Sequence, residues 1–420
     1  MNVFLLLKLK LVALSYIFLW IFILDKFTEA ASSLSKCGTV YITISAYYTN
    51  CIILNWVENC GPNDVKPHKV YLTKDDIRSK TGYDYLESAT CSEHPGGSFR
   101  TKTKFFEWDY WNETKSVNLG FWITSVTSDE KVIDSRPFRL YPTWMYDNRE
   151  KLKSIQIGDL LIPGTHNSGC YNARGLYSNY IYNQEYDIRR QLEAGIRYFD
   201  FRIGYYNDEI FYINHDFMWV EPIKGMYYQI MKFLSVSPGE IIVIDYHRFP
   251  KPDTWSDDLH RKFLKFTLNI LGSKVFIPEL NNSNYKIKGP TMEEIWNSGK
   301  NILLTYNNEI REEFKQLFSQ PVAQAWADTL VIFSLKEYLR KTLTSRFREF
   351  RTFVALMAIL TPKPLDVVLS RNNLRTLSDY VNPEITKWIR DEWRDRVNIV
   401  ATDYFFGNNL IEVAIDINTT

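Results

Sequence analysis

The amino-acid sequence predicts an α/β fold, a TIM-like (β/α) barrel preceded by a small all-β sandwich domain. From about residue 145 onward, apolar strand-like segments alternate with amphipathic helical ones, which is typical of parallel strands joined by helices. Residues 36–140 instead contain short segments of alternating polarity, separated by Gly, Pro, Asn and Asp. The 420 residues suffice for both parts. We therefore predict domains at 36–140 and 145–420, after a leader at 1–30.

The leader has the features of a secretory signal peptide. Lys8 and Lys10 precede an apolar run over residues 11–24, and Thr28-Glu-Ala30 supplies small residues for cleavage. The run is short for a membrane span. We predict a secreted protein, with a signal-anchored membrane protein as the alternative.

The sandwich prediction rests on short strands and on the cysteines. Strands are predicted at residues 39–45, 52–56 and 119–124. Cys37, Cys51, Cys60 and Cys91 all lie in the first hundred residues, which in an exported protein predicts two disulfides with three possible pairings. Cys170 is left over, and we expect it to be a buried free thiol.

The barrel prediction rests on the longer alternation that follows. Strands are predicted at residues 160–162, 196–203, 210–214, 241–245, 301–305 and 397–401, and helices at 186–194 and 226–234. Gly195 follows the first helix at a C-cap position. Active sites of such barrels lie at the carboxyl ends of the strands.

Composition excludes some classes of partner. Apolar residues make up 45% of the chain, charged residues 24%, and the formal net charge is +1 without a long basic run. Nothing therefore indicates nucleic-acid binding, and a small molecule or a lipid headgroup fits this charge equally well. Sequons at Asn112, Asn281 and Asn418 are compatible with a glycoprotein.

Chemically suited side chains occur where predicted strands end. His166 and His215 each follow a strand, and Asp200 and Arg202 are two residues apart on a third, so that they share one face. A carboxylate, a guanidinium and two imidazoles at one edge of a sheet are suited to phosphodiester chemistry.

Four motifs resemble the X-box of phosphatidylinositol-specific phospholipase C, most closely in the form found in secreted invertebrate X-domain-containing proteins. They are Ile162-Pro-Gly-Thr-His-Asn-Ser168, Gly195-Ile-Arg-Tyr-Phe-Asp-Phe-Arg202, Ile213-Asn-His215 and Glu240-Ile-Ile-Val-Ile-Asp-Tyr-His247. The segments 388–390 and 397–405 are also similar, so the likeness covers about residues 150–418.

The resemblance implies a phosphoric diester hydrolase that cleaves an inositol phospholipid or a GPI-type phosphodiester through a cyclic phosphate. It implies that His166 is the base and His215 the acid, each contributing about 10²–10⁴-fold. It further implies that Arg202, beside Asp200, stabilises the phosphoryl charge. Transient contact with a membrane surface follows from such a substrate.

The same resemblance bears on metal use. Calcium-dependent relatives carry Glu-x-Asp where this chain has Asp200-x-Arg202, and a guanidinium can replace the metal, so no cofactor is expected. Asn167, a candidate substrate-binding residue, is instead typical of the calcium-dependent enzymes, which leaves calcium as the alternative. Asp245 falls at an acidic position of the family, and Asp403 is predicted to orient His166.

The other singled-out side chains have structural interpretations. Strand alternation is expected to direct Asp216 away from His215. His247 is expected at the rim, and His68, His94 and His260 at the surface. Core packing is favoured over a membrane-facing rim for the aromatic residues Phe217, Trp219, Tyr404, Phe405 and Phe406.

Two other functions compete with the phospholipase interpretation. A metal-dependent glycerophosphodiesterase or sphingomyelinase-like barrel also uses two histidines, but Arg202 stands where a ligand carboxylate is needed. A catalytically silent binding protein on the same barrel is favoured only by Asn167. The oligomeric state does not follow from the sequence.

Overall fold

The computed structural model describes residues 33–78, 84–108, 115–171, 178–216, 218–278, 288–345 and 351–420. The predicted leader at 1–30, the sequons at Asn112 and Asn281, and Phe217 lie outside these ranges. Within the described ranges, no helix is long and apolar enough to cross a membrane.

Two small antiparallel sheets, here called the amino-terminal sheets, form the first part of the chain. The strands are β1 Val40–Ile44, β2 Cys51–Trp56, β3 Lys69–Thr73, β4 Glu87–Thr90, β5 Ser98–Lys104, β6 Val117–Val126 and β7 Val132–Leu140. One sheet has the order β1-β2-β5 and the other β4-β3-β6-β7. Their inward apolar side chains, such as Ile42, Val70 and Ile123, belong to one buried cluster.

The cysteines of the amino-terminal sheets correct the two-disulfide prediction. One bridge joins Cys37 to Cys60, while Cys51 and Cys91 are free thiols. Cys51 begins β2 in one sheet, whereas the buried Cys91 directly follows β4 in the other. Spacing along the chain does not reveal that the two thiols belong to different sheets. Cys170 is a buried free thiol, as predicted.

A larger curled sheet forms the second part. Its strands are β8 Ile162–Thr165, β9 Tyr198–Tyr205, β10 Phe211–His215, β11 Met218–Pro222, β12 Ile242–Lys251, β13 Ile302–Tyr306, β14 Ala323–Trp326, β15 Val354–Met357 and β16 Ile399–Thr402. Parallel pairing connects β13-β12-β9-β8-β16-β15-β14. The antiparallel hairpin β10–β11 is attached to β9.

Helices lie between most of these strands. They are α1 Trp144–Asp147, α2 Arg149–Leu152, α3 Ile188–Ala194, α4 Ile223–Val236, α5 Asp257–Leu271, α6 Met292–Asn297, α7 Ile332–Thr344, α8 Pro364–Val368, α9 Leu374–Lys387 and α10 Leu410–Thr419. The sequence places α3 well because both of its ends have capping signals. The Asp187 side chain accepts from the Arg190 N–H, and Gly195 adopts φ 123° after the last turn.

The closed barrel expected from the sequence does not form. No ladder joins β13 to β14 in the described part of the chain, so the sheet remains an open half-barrel. Neighbouring parallel strands usually need a helical crossover. Between β13 and β14 there is only a 3₁₀ turn, Glu309–Glu313, and no α-helix that could cover a closing pair.

A buried ion pair lies at the amino ends of strands β9 and β12 in the curled sheet. Arg197 donates to Oε2 of Glu240 from Nε at 2.9 Å and from NH2 at 2.7 Å, and both side chains are fully buried. Arg197 also donates to the Pro142 carbonyl, which fixes the segment that leads into the curled sheet. These two charged residues of the family-like motifs therefore have a structural role at the end opposite the histidines.

The amino-terminal sheets pack against the curled sheet rather than standing apart from it. The ring of Phe406 contacts the rings of Phe105, Trp108 and Phe138. Trp108 also donates from Nε1 to Glu193 on α3 at 2.7 Å. Since Phe406 comes three residues after Asp403, this contact supports the loop that carries that carboxylate.

Candidate active site

The first histidine lies at the carboxyl end of β8. Strand β8 can approach β9 closely because residue 164 is glycine: an added Cβ would lie 2.6 Å from Cδ1 of Tyr198. After His166 the chain turns at Asn167, whose φ is 43°, and its N–H donates to Oδ2 of Asp200 at 3.1 Å. The glycine and this turn bring the end of β8 onto the end of β9.

His166 is held at both ring nitrogens. Nδ1 lies 2.9 Å from Oδ1 of Asp403, and Nε2 lies 2.9 Å from NH2 of Arg202. Asn183 donates to the same Asp403 oxygen at 3.0 Å. Gln184 donates to the backbone carbonyl of His166 at 2.9 Å. The side chain is 8% exposed, so that packing also limits its motion.

These contacts determine the tautomer of His166. A guanidinium has no acceptor, so the Arg202 contact requires an unprotonated Nε2. The neutral ring then carries its hydrogen on Nδ1, where the Asp403 carboxylate accepts it. His166 is thus arranged as a base whose Nε2 lone pair accepts from Arg202.

Asp200 and Arg202 share one face of β9, as the sequence predicts. Oδ2 of Asp200 lies 3.7 Å from NH2 of Arg202. Burial acts to raise the pKa of the Asp200 carboxyl, but the charge of Arg202 and the Asn167 N–H outweigh it, so the pKa lies below its usual range. Asp200 is therefore a carboxylate that orients Arg202 rather than a proton donor.

Arg202 retains hydrogen-bonding capacity. Its Nε is buried and has no hydrogen-bond partner among the described residues. Buried polar atoms are normally paired, so an unpaired guanidinium N–H beside a basic imidazole is suited to an anionic ligand.

The second histidine has looser support. His215 ends β10 and its side chain is 19% exposed. Burial and the nearby charge of Arg202 lower the pKa of His215. Oδ2 of Asp216 lies 4.0 Å from Nδ1, because a φ of 48° turns Asp216 back toward the ring. The expectation that strand alternation directs Asp216 away was therefore wrong.

Asp245 lies deeper, on β12. Its carboxylate accepts from Tyr198 at 2.9 Å and from Thr305 at 2.9 Å. Gln324 on β14 donates to it at 3.0 Å and to Asp200 at 3.0 Å. Asp245 thus links β12 to three other strands, β9, β13 and β14.

The carboxylates do not fit a calcium site. Calcium needs several oxygen ligands that are free to coordinate it. Both Asp200 and Asp245 are occupied by donors, and the Arg202 guanidinium adds a positive charge beside Asp200. In the described ranges, no group of three or more His, Cys, Asp or Glu side chains is placed to hold a metal ion.

The side chain of Asn167, the candidate substrate-binding residue, binds another amide. Its Nδ2 donates to Oδ1 of Asn183 at 3.3 Å, while its buried Oδ1 has no hydrogen-bond partner in the described residues. The side chain therefore belongs to the His166 half of the site.

The remaining predicted positions divide between rim, core and surface. His247 is near the rim, with Nδ1 3.4 Å from Oδ2 of Asp245. His260 corrects the surface prediction because it is buried and lies 2.7 Å from the Tyr306 hydroxyl. His68 is exposed and His94 is half-buried against Phe99.

The aromatic residues also differ from one another. Tyr404, Phe405 and Phe406 are buried, as the core prediction requires. Trp219 is 60% exposed, so the core prediction is wrong for this residue. It lies on β11, whose first residue follows His215 by three positions.

Sequence reasoning missed Asn183, Gln184 and Gln324. Asn183 and Gln184 come from the loop before α3, which is hydrogen-bonded to the segments that follow β8 and β16, and so they reach His166. Gln324 is 124 residues from Asp200 in the chain. No motif marks these amides, because their positions depend on how the sheet curls.

The site combines groups that are suited to proton transfer beside a bound anion. His166 is a fixed base, Arg202 is a fixed cation with an unpaired donor, and His215 is a nearby imidazole whose charge depends on its surroundings. Asp403 holds His166, Asp200 lies beside Arg202, and Gln324 joins Asp245 to Asp200.

Comparison with known proteins finds relatives of similar sequence. No protein-family model matches the chain. The chain is 25% identical over 315 residues to PI-PLC X domain-containing protein 3 of Mus musculus, covering 66% of this chain and 94% of that protein. It is 21% identical over 316 residues to PI-PLC X domain-containing protein 1 of Danio rerio, covering 66% and 97%.

Solved structures agree with these relatives. Phosphatidylinositol-specific phospholipase C from Listeria monocytogenes superposes with a TM-score of 0.51 at 20% identity, covering 66% of this chain and 98% of that chain. The Staphylococcus aureus phosphatidylinositol-specific phospholipase C superposes with a TM-score of 0.52 at 18% identity, covering 66% and 98%. This chain is therefore similar in sequence to the PI-PLC X domain-containing proteins, and its α/β fold is similar to that of phosphatidylinositol-specific phospholipase C.

Proposed function

We propose that the protein is a secreted phosphoric diester hydrolase that cleaves inositol phospholipids or GPI-type anchors without a metal ion. The observation that carries this proposal is the contact of 2.9 Å between NH2 of Arg202 and Nε2 of His166. It joins a base and a phosphate-binding cation in one place, which internal attack on a phosphodiester requires.

The proposed reaction uses each group once. The substrate phosphate competes for the Arg202 donor, which frees Nε2 of His166 to accept the proton of the adjacent inositol hydroxyl. That oxygen forms a new bond to phosphorus while the bond to the glycerol oxygen breaks. His215 gives its proton to the departing oxygen. The products are a cyclic inositol phosphate and diacylglycerol.

Protonation of His215 depends on the substrate in this scheme. In the free site, burial and the charge of Arg202 lower the pKa of His215, so the ring is neutral at neutral pH. A bound phosphodiester anion offsets the charge of Arg202 and raises that pKa. His215 is thus protonated mainly when a phosphodiester is bound.

The direct test uses vesicles of phosphatidylinositol, with the product detected by phosphorus NMR. We expect cyclic inositol phosphate from the full chain, both with and without a chelator. His166→Ala is expected to lower the rate by about 10²–10⁴-fold, whereas the exposed control His68→Ala leaves it unchanged. Loss of activity in chelator would favour the metal-dependent enzyme instead.

The alternative of a silent binding protein is tested at Asn167. Asn167→Asp introduces a carboxylate into the His166 half of the site, where Asn167 now donates to Asn183. Activity in the natural chain supports the hydrolase. Activity in the Asn167→Asp variant alone would favour a binding protein.

We propose a membrane surface as the partner of the site's mouth. Exposed apolar side chains follow the carboxyl ends of β10, β14 and β15; they are Met218, Trp219, Val331, Phe333, Leu365 and Val368. Apolar and aromatic side chains around a lipid-cleaving site favour insertion at the membrane–water boundary.

Vesicle sedimentation tests this partner. Trp219→Ala together with Val368→Ala is expected to weaken retention on phosphatidylinositol vesicles. The matched control is Tyr146→Ala, which removes a side chain that is 56% exposed at the opposite end of the sheet. Equal loss in both variants would contradict the proposed orientation.

The proposed location is extracellular. The Cys37–Cys60 bridge supports it, since disulfides persist in oxidising compartments. The sequon at Asn418 does not add support, because the Asn418 amide is buried and donates to the Leu161 carbonyl at 2.8 Å. Glycosylation thus stays a prediction for Asn112 and Asn281 only.

A further inference from the structure

A second arginine lies beside Arg202 because of an irregularity in β12. Residues 243–246 of β12 pair in regular register with β9, and Asp245 pairs with Asp200. The register then shifts, so that Arg248 rather than His247 pairs with Arg202. One extra residue therefore lies in β12, which is a β-bulge.

The bulge changes which face Arg248 occupies. In an unbroken strand, Arg248 would point away from the face that carries Asp245. Residues paired across parallel strands point to the same side, so Arg248 lies on the Arg202 face, on a strand about 4.8 Å away. Bulges next to active sites commonly redirect a side chain in this way.

Arg248 is held by an aromatic ring and not by a carboxylate. Its Cζ lies 5.0 Å from the ring centroid of Trp326 on β14. Trp326 is fixed in turn, since its Nε1 donates to Oγ1 of Thr361 at 2.9 Å. Among the described residues, Arg248 has no ion pair and no hydrogen bond through its guanidinium.

The mouth of the site therefore contains two guanidiniums with different surroundings. Arg202 has the Asp200 carboxylate 3.7 Å away, whereas Arg248 is exposed and no carboxylate of the described residues lies within ion-pair distance of it. An oriented guanidinium with free donors is suited to phosphate, which it can bind through two parallel hydrogen bonds. Stacking on Trp326 reduces the freedom that Arg248 would lose on binding.

We propose that Arg248 and Trp326 form a second anion subsite, which selects headgroups carrying another phosphate besides the one that reacts at Arg202. This inference rests on the proposed function for the class of headgroup. It adds a preference for phosphorylated inositol lipids over phosphatidylinositol itself.

Binding without turnover tests the subsite separately from catalysis. Titration calorimetry compares myo-inositol 1-phosphate with myo-inositol 1,4,5-trisphosphate on the full chain, on Arg248→Gln and on Arg100→Gln. Arg100 is the matched control because it also stacks on an aromatic ring, that of Tyr48 at 3.5 Å, but lies in the amino-terminal sheets. Arg248 is an exposed residue whose guanidinium makes no hydrogen bond to the described residues, so its replacement is expected to leave the fold intact.

We expect the natural chain to prefer the trisphosphate, and Arg248→Gln to reduce that preference by about ten- to a hundredfold. Arg100→Gln should keep it. An equal affinity for both ligands in the natural chain, or an unchanged preference in Arg248→Gln, would overturn the subsite. This holds whether or not the protein releases a cyclic product, so a failure of the proposed hydrolase activity is seen separately.

Vesicles distinguish a lipid headgroup from a free inositol phosphate. We expect retention on vesicles containing phosphatidylinositol 4,5-bisphosphate to exceed retention on phosphatidylinositol vesicles, and Arg248→Gln to remove the excess. A preference seen only with the soluble ligands would overturn the assignment to a lipid.

Discussion

The two histidines of the site lie in unequal surroundings. His166 is bound at both nitrogens, by Asp403 and Arg202, and its side chain is 8% exposed. His215 is 19% exposed, and its nearest carboxylate is that of the exposed Asp216 at 4.0 Å. His166 is therefore held in position in the free protein, whereas the position and charge of His215 depend on the bound ligand.

This difference follows from where the two histidines lie. His166 ends a central strand, β8, which has parallel neighbours on both sides, and so residues from β16 and β9 can reach it. His215 ends β10, which belongs to an antiparallel hairpin at the side of the sheet. We therefore expect the fold to hold the base His166 in position, and the bound ligand to position the acid His215.

The largest expected effect on the rate comes from neutralising Asp403, the carboxylate that holds His166. Asp403→Asn keeps the shape but removes the negative charge that accepts from Nδ1 of His166, so the wrong tautomer becomes available. We expect the rate to fall by about 10²–10⁴-fold, the range expected when the base itself is lost. Product release from phosphatidylinositol vesicles measures it. A loss below about tenfold would mean that the carboxylate does not define the base.

Arg202→Gln affects both halves at once. It removes the donor to His166 and the positive charge that lowers the pKa of His215. We expect a rate loss of about 10²–10³-fold together with a raised pKa of His215. Kinetics and imidazole NMR measure these separately, and Arg100→Gln is the control. An unchanged pKa would show that Arg202 does not act on His215.

The pH dependence of the natural chain's activity tests whether the protonation of His215 depends on substrate. Since His215 must be protonated to act, activity should fall as pH rises through its pKa. That pKa is lowered in the free protein and raised by the bound phosphodiester. The alkaline limb of kcat/KM is therefore expected at lower pH than the alkaline limb of kcat. Coincident limbs would contradict an acid that depends on substrate.

Asp216→Asn gives the smallest expected effect. The carboxylate is 62% exposed and 4.0 Å from the His215 ring, so solvent screens most of its influence. We expect a rate change of about fivefold or less, measured by the same assay. A loss comparable to that of Asp403→Asn would mean that the acid half is also fixed by the scaffold.

Local rules predict much of the site but not its long-range contacts. Strand alternation places Asp200 and Arg202 on one face, and the motif around His166 marks the end of β8. Local rules do not predict the contact of Gln324 with Asp200, because the curvature of the sheet brings these two distant residues together. Positive φ at Asp216 and the bulge before Arg248 break the alternation on which the sequence argument relies.

The fold is predictable to a similar extent. Alternating strands and helices identify the parallel sheet, and capping signals at Asp187 and Gly195 place α3. Closure of the sheet is not predictable from alternation alone, since it depends on whether a helix covers the gap between β13 and β14. The sequence predicts a surface position for His260 because no neighbouring residue supports it, whereas its partner in the fold, Tyr306, is 46 residues away.

The most direct measurement is long-range ¹⁵N NMR of the histidine rings, recorded near neutral pH before and after adding myo-inositol 1-phosphate. The account predicts that free His166 carries its hydrogen on Nδ1, and that His215 is neutral until the phosphate binds and then becomes charged. A hydrogen on Nε2 of free His166, or a His215 already charged in the free protein, would contradict it.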